Sequence, residues 1–229
     1  MMQEHPAVTT GETSCKAVCA GTMELPGVDV LLADASLLRG LSVALRPPAP
    51  DLPRRLVALA GGLPAEAAAA LEALAGLATP ELESHYHATL GPGGVCPTGE
   101  SDYSMAAAMS KGTLLGDVCG FYAAFGFDPS RELHDAPDHV AIELAFGSYL
   151  LTKTAYAIHA GRCEQAHVAF EAWLGFRADH LDPWVGALCD RIEERAPCEF
   201  YRLAGRLLRH AIVVSVERED ACRAATSGP

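Results

Sequence analysis

Histidine and acidic side chains crowd one stretch of the chain, FGFDPSRELHDAPDHVAIELAFGSYLL from Phe125 to Leu151. Glu132, His134, Asp135, Asp138, His139 and Glu143 all fall within it. Side chains of these types can hold a divalent metal, move protons, or meet arginine through paired carboxylate contacts. His139 and Glu143 stand at i, i+4 and would share one helix face, which suits two ligands as well as a single hydrogen bond. The HExxH order of a zinc protease is absent, because the run here reads HxxxE. Asp135 is placed to cap a helix start, with Pro137 in the first turn and Asp138 completing an acidic variant of the capping box. Glu143, set among apolar residues, must be paired or protonated, and His139 one turn earlier is its expected partner.

Other chemistry finds less support. His134-Asp135 is an HD pair, and a metal-dependent phosphohydrolase of HD type, which adds a separate His and Asp, is the alternative function. The acids nevertheless sit at successive positions of a helix entrance, whereas metal ligands must converge near 2 Å; no metal and no cofactor is expected. The loop GPGGVCPTGESDY (91–103) lacks the GK[ST] ending of a phosphate-binding loop, and no strand precedes it. Ser101, Ser148 and Cys96 stand in no elbow or triad pattern, so no catalytic residue is assigned.

Helices must position the cluster. From Val140 to Ile158 apolar residues surround nearly the whole helical wheel, the pattern of a helix in the middle of a bundle. Helical spacing also predicts elements over 28–45, 52–63, 64–77 and 80–90, two patterns over 104–109 and 112–125, and three more over 162–178, 183–195 and 198–216. Proline and glycine punctuate them at Arg46-Pro-Pro-Ala-Pro, Gly61-Gly62 and Asp182-Pro183. Convincing strand alternation is absent, so the fold class is all-α. Residues 1–26 read as a flexible N-terminal tail carrying Cys15 and Cys19, 27–216 as one helical domain, and 217–229 as a frayed C-terminal tail.

The composition narrows the partners. With 50% apolar residues the chain can build a real core, and a net charge of −12 argues against nucleic acid while suiting a basic peptide. The spacing of the eight cysteines is irregular, which reads as mostly reduced, buried thiols rather than a disulfide framework. No secretory signal and no membrane-length apolar run is found, and the expected location is the cytoplasm.

Four segments together resemble the TorD/DmsD/NarJ family of redox-enzyme maturation chaperones. CPTGESDY (96–103) is similar to a family loop, although Thr98-Gly99 replaces a tyrosine before Glu100. Glu132, Pro137-Asp138-His139-Val140, Glu143-Leu144 and Phe146 follow the family's E-x-x-D-H and E-L-x-F pattern. Phe176 to Trp184 matches F-x-x-x-H-L-x-P-W closely, and Phe200 to Val214 is a looser match. The resemblance implies a TorD-like bundle of about nine to eleven helices that does no catalysis. It implies a cytoplasmic chaperone that binds the twin-arginine signal peptide of a molybdenum-cofactor oxidoreductase, holding the apo catalytic subunit back from export until the cofactor is loaded. The residues it carries over are Asp138 and His139 with Glu143 beside them, Glu100 and Tyr103, and His180 and Trp184. The last two can equally serve to pin two helices together. A monomer and a domain-swapped dimer both remain open.

The residues fit such a ligand without the resemblance. A twin-arginine peptide offers two guanidiniums and then an apolar segment, and its receptor needs forked carboxylates beside an apolar groove. Glu132, Asp135 and Asp138 at the mouth of an apolar helix are residues of that kind.

Overall fold

The computed structural model describes residues 23–103, 107–131 and 136–226. They form nine α-helices and contain no strand. The helices are α1 (Val28–Ala44), α2 (Leu52–Ala60), α3 (Ala65–Gly76), α4 (Leu82–Thr89), α5 (Ala107–Phe125), α6 (Val140–His159), α7 (Cys163–Phe176), α8 (Val185–Arg195) and α9 (Glu199–Thr226). The all-α class and the helix positions follow the sequence pattern closely. The last helix runs further than its apolar spacing predicts. Ser110, with φ −152° and ψ 41°, breaks α5 where the two sequence patterns meet.

α6 is the axis. Val140, Ile142, Leu144, Phe146 and Leu150 are all fully buried, because apolar residues occupy every side of the helix. α1 and α7 pack most extensively against it, α2 leans on α3 and α1, and α8 on α9. The α6–α7 crossing is close because position 147 is glycine: a Cβ there would overlap the ring of Trp173. Across the α1–α6 contact the Ser42 hydroxyl donates to the Ala141 carbonyl at 2.7 Å.

α5 ends at Gly126, whose φ of 68° is a left-handed value that favours glycine. The N–H of Phe127 then returns to the Tyr122 carbonyl at 2.9 Å. This turn brings the Phe127 ring within 5.2 Å of Tyr122 and 5.3 Å of Phe146. Phe176 completes the group, 4.8 Å from Phe146. The aromatic cluster joins the end of α5 to α6 and α7.

The helix entrance differs from its expected form. α6 begins at Val140, and Pro137 and Asp138 lie in the turn before it. Its N-cap is His139, whose Nδ1 accepts the N–H of Ala141 at 3.1 Å. Asp135, the expected cap, lies outside the described residues. Among the cysteines, Cys96 and Cys189 are buried free thiols, Cys119 is exposed and Cys198 half-buried, while Cys163 is disulfide-bonded. The expectation of reduced thiols therefore fails at Cys163.

Candidate functional site

Three segments far apart in sequence meet at the entrance to α6. The first is the turn that follows Cys96. It has no partner within itself and borrows one from α6: the Glu100 N–H donates to the Asp138 carbonyl at 2.9 Å, and the Val140 N–H to the Thr98 carbonyl at 2.8 Å. These two bonds make an isolated antiparallel bridge between Gly99 and His139. The Ser101 N–H adds a bond to Asp138 Oδ2 at 3.0 Å. Position 99 takes glycine because a Cβ would lie 3.1 Å from Asp138 Oδ2 and 3.2 Å from Asp102 Oδ2.

The second segment is a π-helical turn, Arg177–Leu181, which continues α7. The Asp182 N–H reaches back five residues to the Arg177 carbonyl at 2.9 Å. The turn presents the His180 ring to the first segment, and His180 Nδ1 lies 3.0 Å from Glu100 Oε2. Helical spacing alone gave no sign of it. Trp184 caps the start of α8, and its indole N–H donates to the His180 carbonyl. The Tyr103 ring packs 5.2 Å from Trp184, and its hydroxyl donates to the Pro97 carbonyl at 2.8 Å. Burial pushes that phenol up to about 12, with Arg191, 5.4 Å from the ring, pulling the other way.

The third contributor is α5. Tyr122 donates to the Pro137 carbonyl at 2.8 Å. Asp117, one and a half turns earlier, places Oδ2 3.5 Å from His180 Nε2. The histidine ring thus lies between two carboxylates, one buried and one exposed. Protonated, it would donate to both.

Glu143 lies under this assembly, fully buried. His139 does not pair with it as expected, since the histidine Nδ1 is committed to the cap. Neither carboxyl oxygen of Glu143 has a hydrogen-bond partner among the described residues. Burial first, and then the charges of Glu100 and Asp138, push this carboxyl well above the ordinary carboxylate range. The indole N–H of Trp184 pulls weakly the other way, but that donor is already given to the His180 carbonyl. Glu143 is therefore a protonated acid at neutral pH.

Of the residues expected at the site, Glu100, Tyr103, Asp138, His139, Glu143, His180 and Trp184 do come together. They form a packed junction rather than an open mouth: Asp138 is 1% exposed, His139 2%, Glu100 5% and His180 3%. Glu132 and Asp135 lie outside the described residues, as does the His134-Asp135 pair of the hydrolase alternative. Among the described residues no three His, Cys, Asp or Glu side chains are placed to hold a metal ion. Sequence reasoning missed Asp117 and Tyr122. The available signal was that Asp117 is the only charge between Lys111 and Asp128.

The junction lies within a segment that can be placed among known proteins. A model of the nitrate reductase delta subunit family matches residues 58–190, more than half of the chain. The chain belongs to that family. The nitrate reductase delta subunit family is one of molybdoenzyme assembly chaperones, not of catalysts. No curated protein and no solved structure matches the chain. No helix among the described residues is long and apolar enough to cross a membrane.

Proposed function

We propose that the protein is a cytoplasmic chaperone for one molybdenum-cofactor oxidoreductase. It binds the twin-arginine signal peptide of the apo catalytic subunit and delays export until the cofactor is inserted. The observation that carries this reading is the family match over 58–190, a span that holds all three segments of the junction. The physical setting supports it. A guanidinium needs fixed carboxylates, and the buried network of Glu100, Asp138, Glu143 and His180 holds the loops from which Asp102 and Asp117 reach solvent. The net charge of −12 favours approach by a basic segment.

The test is co-expression with a molybdoenzyme catalytic subunit that carries a twin-arginine leader. Molybdenum content of the purified enzyme, read by plasma mass spectrometry, should fall when the chaperone is omitted. Calorimetric titration of the leader peptide should show binding that weakens with salt. Full cofactor loading without the chaperone, together with no heat on titration, would overturn the proposal.

A further inference from the structure

The outward side of α5 is unlike any other exposed helix face in the molecule. From Gly112 to Ala124 its solvent-facing residues include Gly112, Gly116, Gly120, Ala123 and Ala124, and no side chain there is larger than that of Asp117. Glycine weakens a helix interior and is normally retained where something approaches closely. Within the chain nothing does. A Cβ built at Gly112, Gly116 or Gly120 would meet no atom within 4 Å, and none of the three has a positive φ. Neither backbone strain nor internal packing accounts for these glycines.

A second observation points to a ligand on this face. Asp117 is its only charged residue. The carboxylate is 67% exposed, yet it is steered from beneath by His180, whose side chain is 4% exposed. The Nε2 of that ring makes no hydrogen bond and is aimed at Asp117 Oδ2 from 3.5 Å. Glu100 holds the ring from its other nitrogen at 3.0 Å. A surface carboxylate is normally free to turn. This one is oriented, and its remaining lone pairs face outward beside a smooth helix.

We propose that the outward face of α5 is the docking surface for an apolar helical segment of the client's leader, with Asp117 taking an arginine at its head. Small residues at i, i+4 let a second helix backbone approach closely. The single oriented carboxylate sets the register by a charge-assisted bond that guanidinium geometry favours over an ammonium. His180 acts as a positioning residue that reaches the ligand through Asp117. The inference rests on the peptide-binding function above and assigns it a surface.

The experiment uses the full chain and two fluorescein-labelled synthetic peptides, Arg-Arg followed by a Leu/Ala helix and its Lys-Lys counterpart. Gly116→Leu and Gly120→Leu place a side chain in open space, so the fold is kept and circular dichroism should show an unchanged or raised melting temperature. Both variants should weaken the Arg-Arg peptide by about tenfold or more. Asp117→Asn keeps an oxygen for His180 and should abolish the preference for Arg-Arg over Lys-Lys. Unchanged binding by both leucine variants overturns this inference alone. Absence of binding by the unaltered chain overturns the proposed function with it. A change of sedimentation in Gly116→Leu without loss of peptide binding assigns the face to a second copy of the chain and overturns the inference.

Discussion

Replacing Glu143 by glutamine should remove a pH dependence from the stability of the whole protein. In the folded chain the carboxyl is fully buried, with Glu100 and Asp138 near it, and both effects hold the proton on. In the unfolded chain the same group titrates at its ordinary value of 4.5. Below that value both states are protonated and the stability is fully present. Above it the unfolded chain releases a proton that the folded chain keeps, so stability falls as pH rises towards the folded value. For one proton the slope is about 1.4 kcal/mol per pH unit. That is a large share of a total stability of about 5–15 kcal/mol. Glutamine has nothing to release, and its amide N–H groups can donate to the two neighbouring carboxylates. Urea unfolding followed by tryptophan fluorescence at pH 5, 6 and 7 measures the effect. Glu143→Gln should gain on the wild type with each step, at an unchanged urea dependence. A stability difference that stays constant from pH 5 to pH 7 would refute the reasoning, because it would place the buried carboxyl back at its ordinary value.

Two further predictions rest on the same structure. His180→Ala should cost about 3–5 kcal/mol, because it strands the buried Glu100 carboxylate, and much of that loss should be recovered in the Glu100→Leu, His180→Ala double variant; additive losses in urea denaturation would sink the pairing. Gly147→Ala should destabilise by about 1–3 kcal/mol through overlap with Trp173, and pairing it with Trp173→Leu should relieve most of the loss in a thermal melt, whereas a neutral Gly147→Ala would contradict the close α6–α7 crossing.

The sequence disclosed the helices better than it disclosed their junction. α1 could be read from Leu31, Ala35, Leu38 and Leu41 on one side, all of which are buried. α6 could be read from its lack of a polar side, and its burial follows. The Phe176 to Trp184 motif located a real corner of the structure. Within it the π turn escaped notice, because helical periodicity counts residues and not the reach of an N–H. The cap of α6 was misassigned to Asp135 for a different reason. His139 adopts its extended backbone, with ψ of 131°, in a bridge to Gly99, and a local pattern carries no information about a partner forty residues earlier. The same limit applies to Glu143, whose neutral state depends on Glu100 arriving from another loop. Asp117 was overlooked because its significance depends on His180, which lies beyond α6 in the chain.

The Ser42–Ala141 bond spans 99 residues and the Glu100–His180 pair spans 80. In kinetic terms this sets the protein apart from bundles whose successive helices pack on one another. α1 finds its main partner only after α6 has been made, and the turn at Glu100 finds its histidine later still. The loop entropy of both closures must be met before either contact contributes, so folding should be slower than a wholly helical composition suggests. During synthesis the first four helices must wait, with the buried faces of Leu38, Leu41 and Leu71 still open to water, for a core that emerges half a chain later.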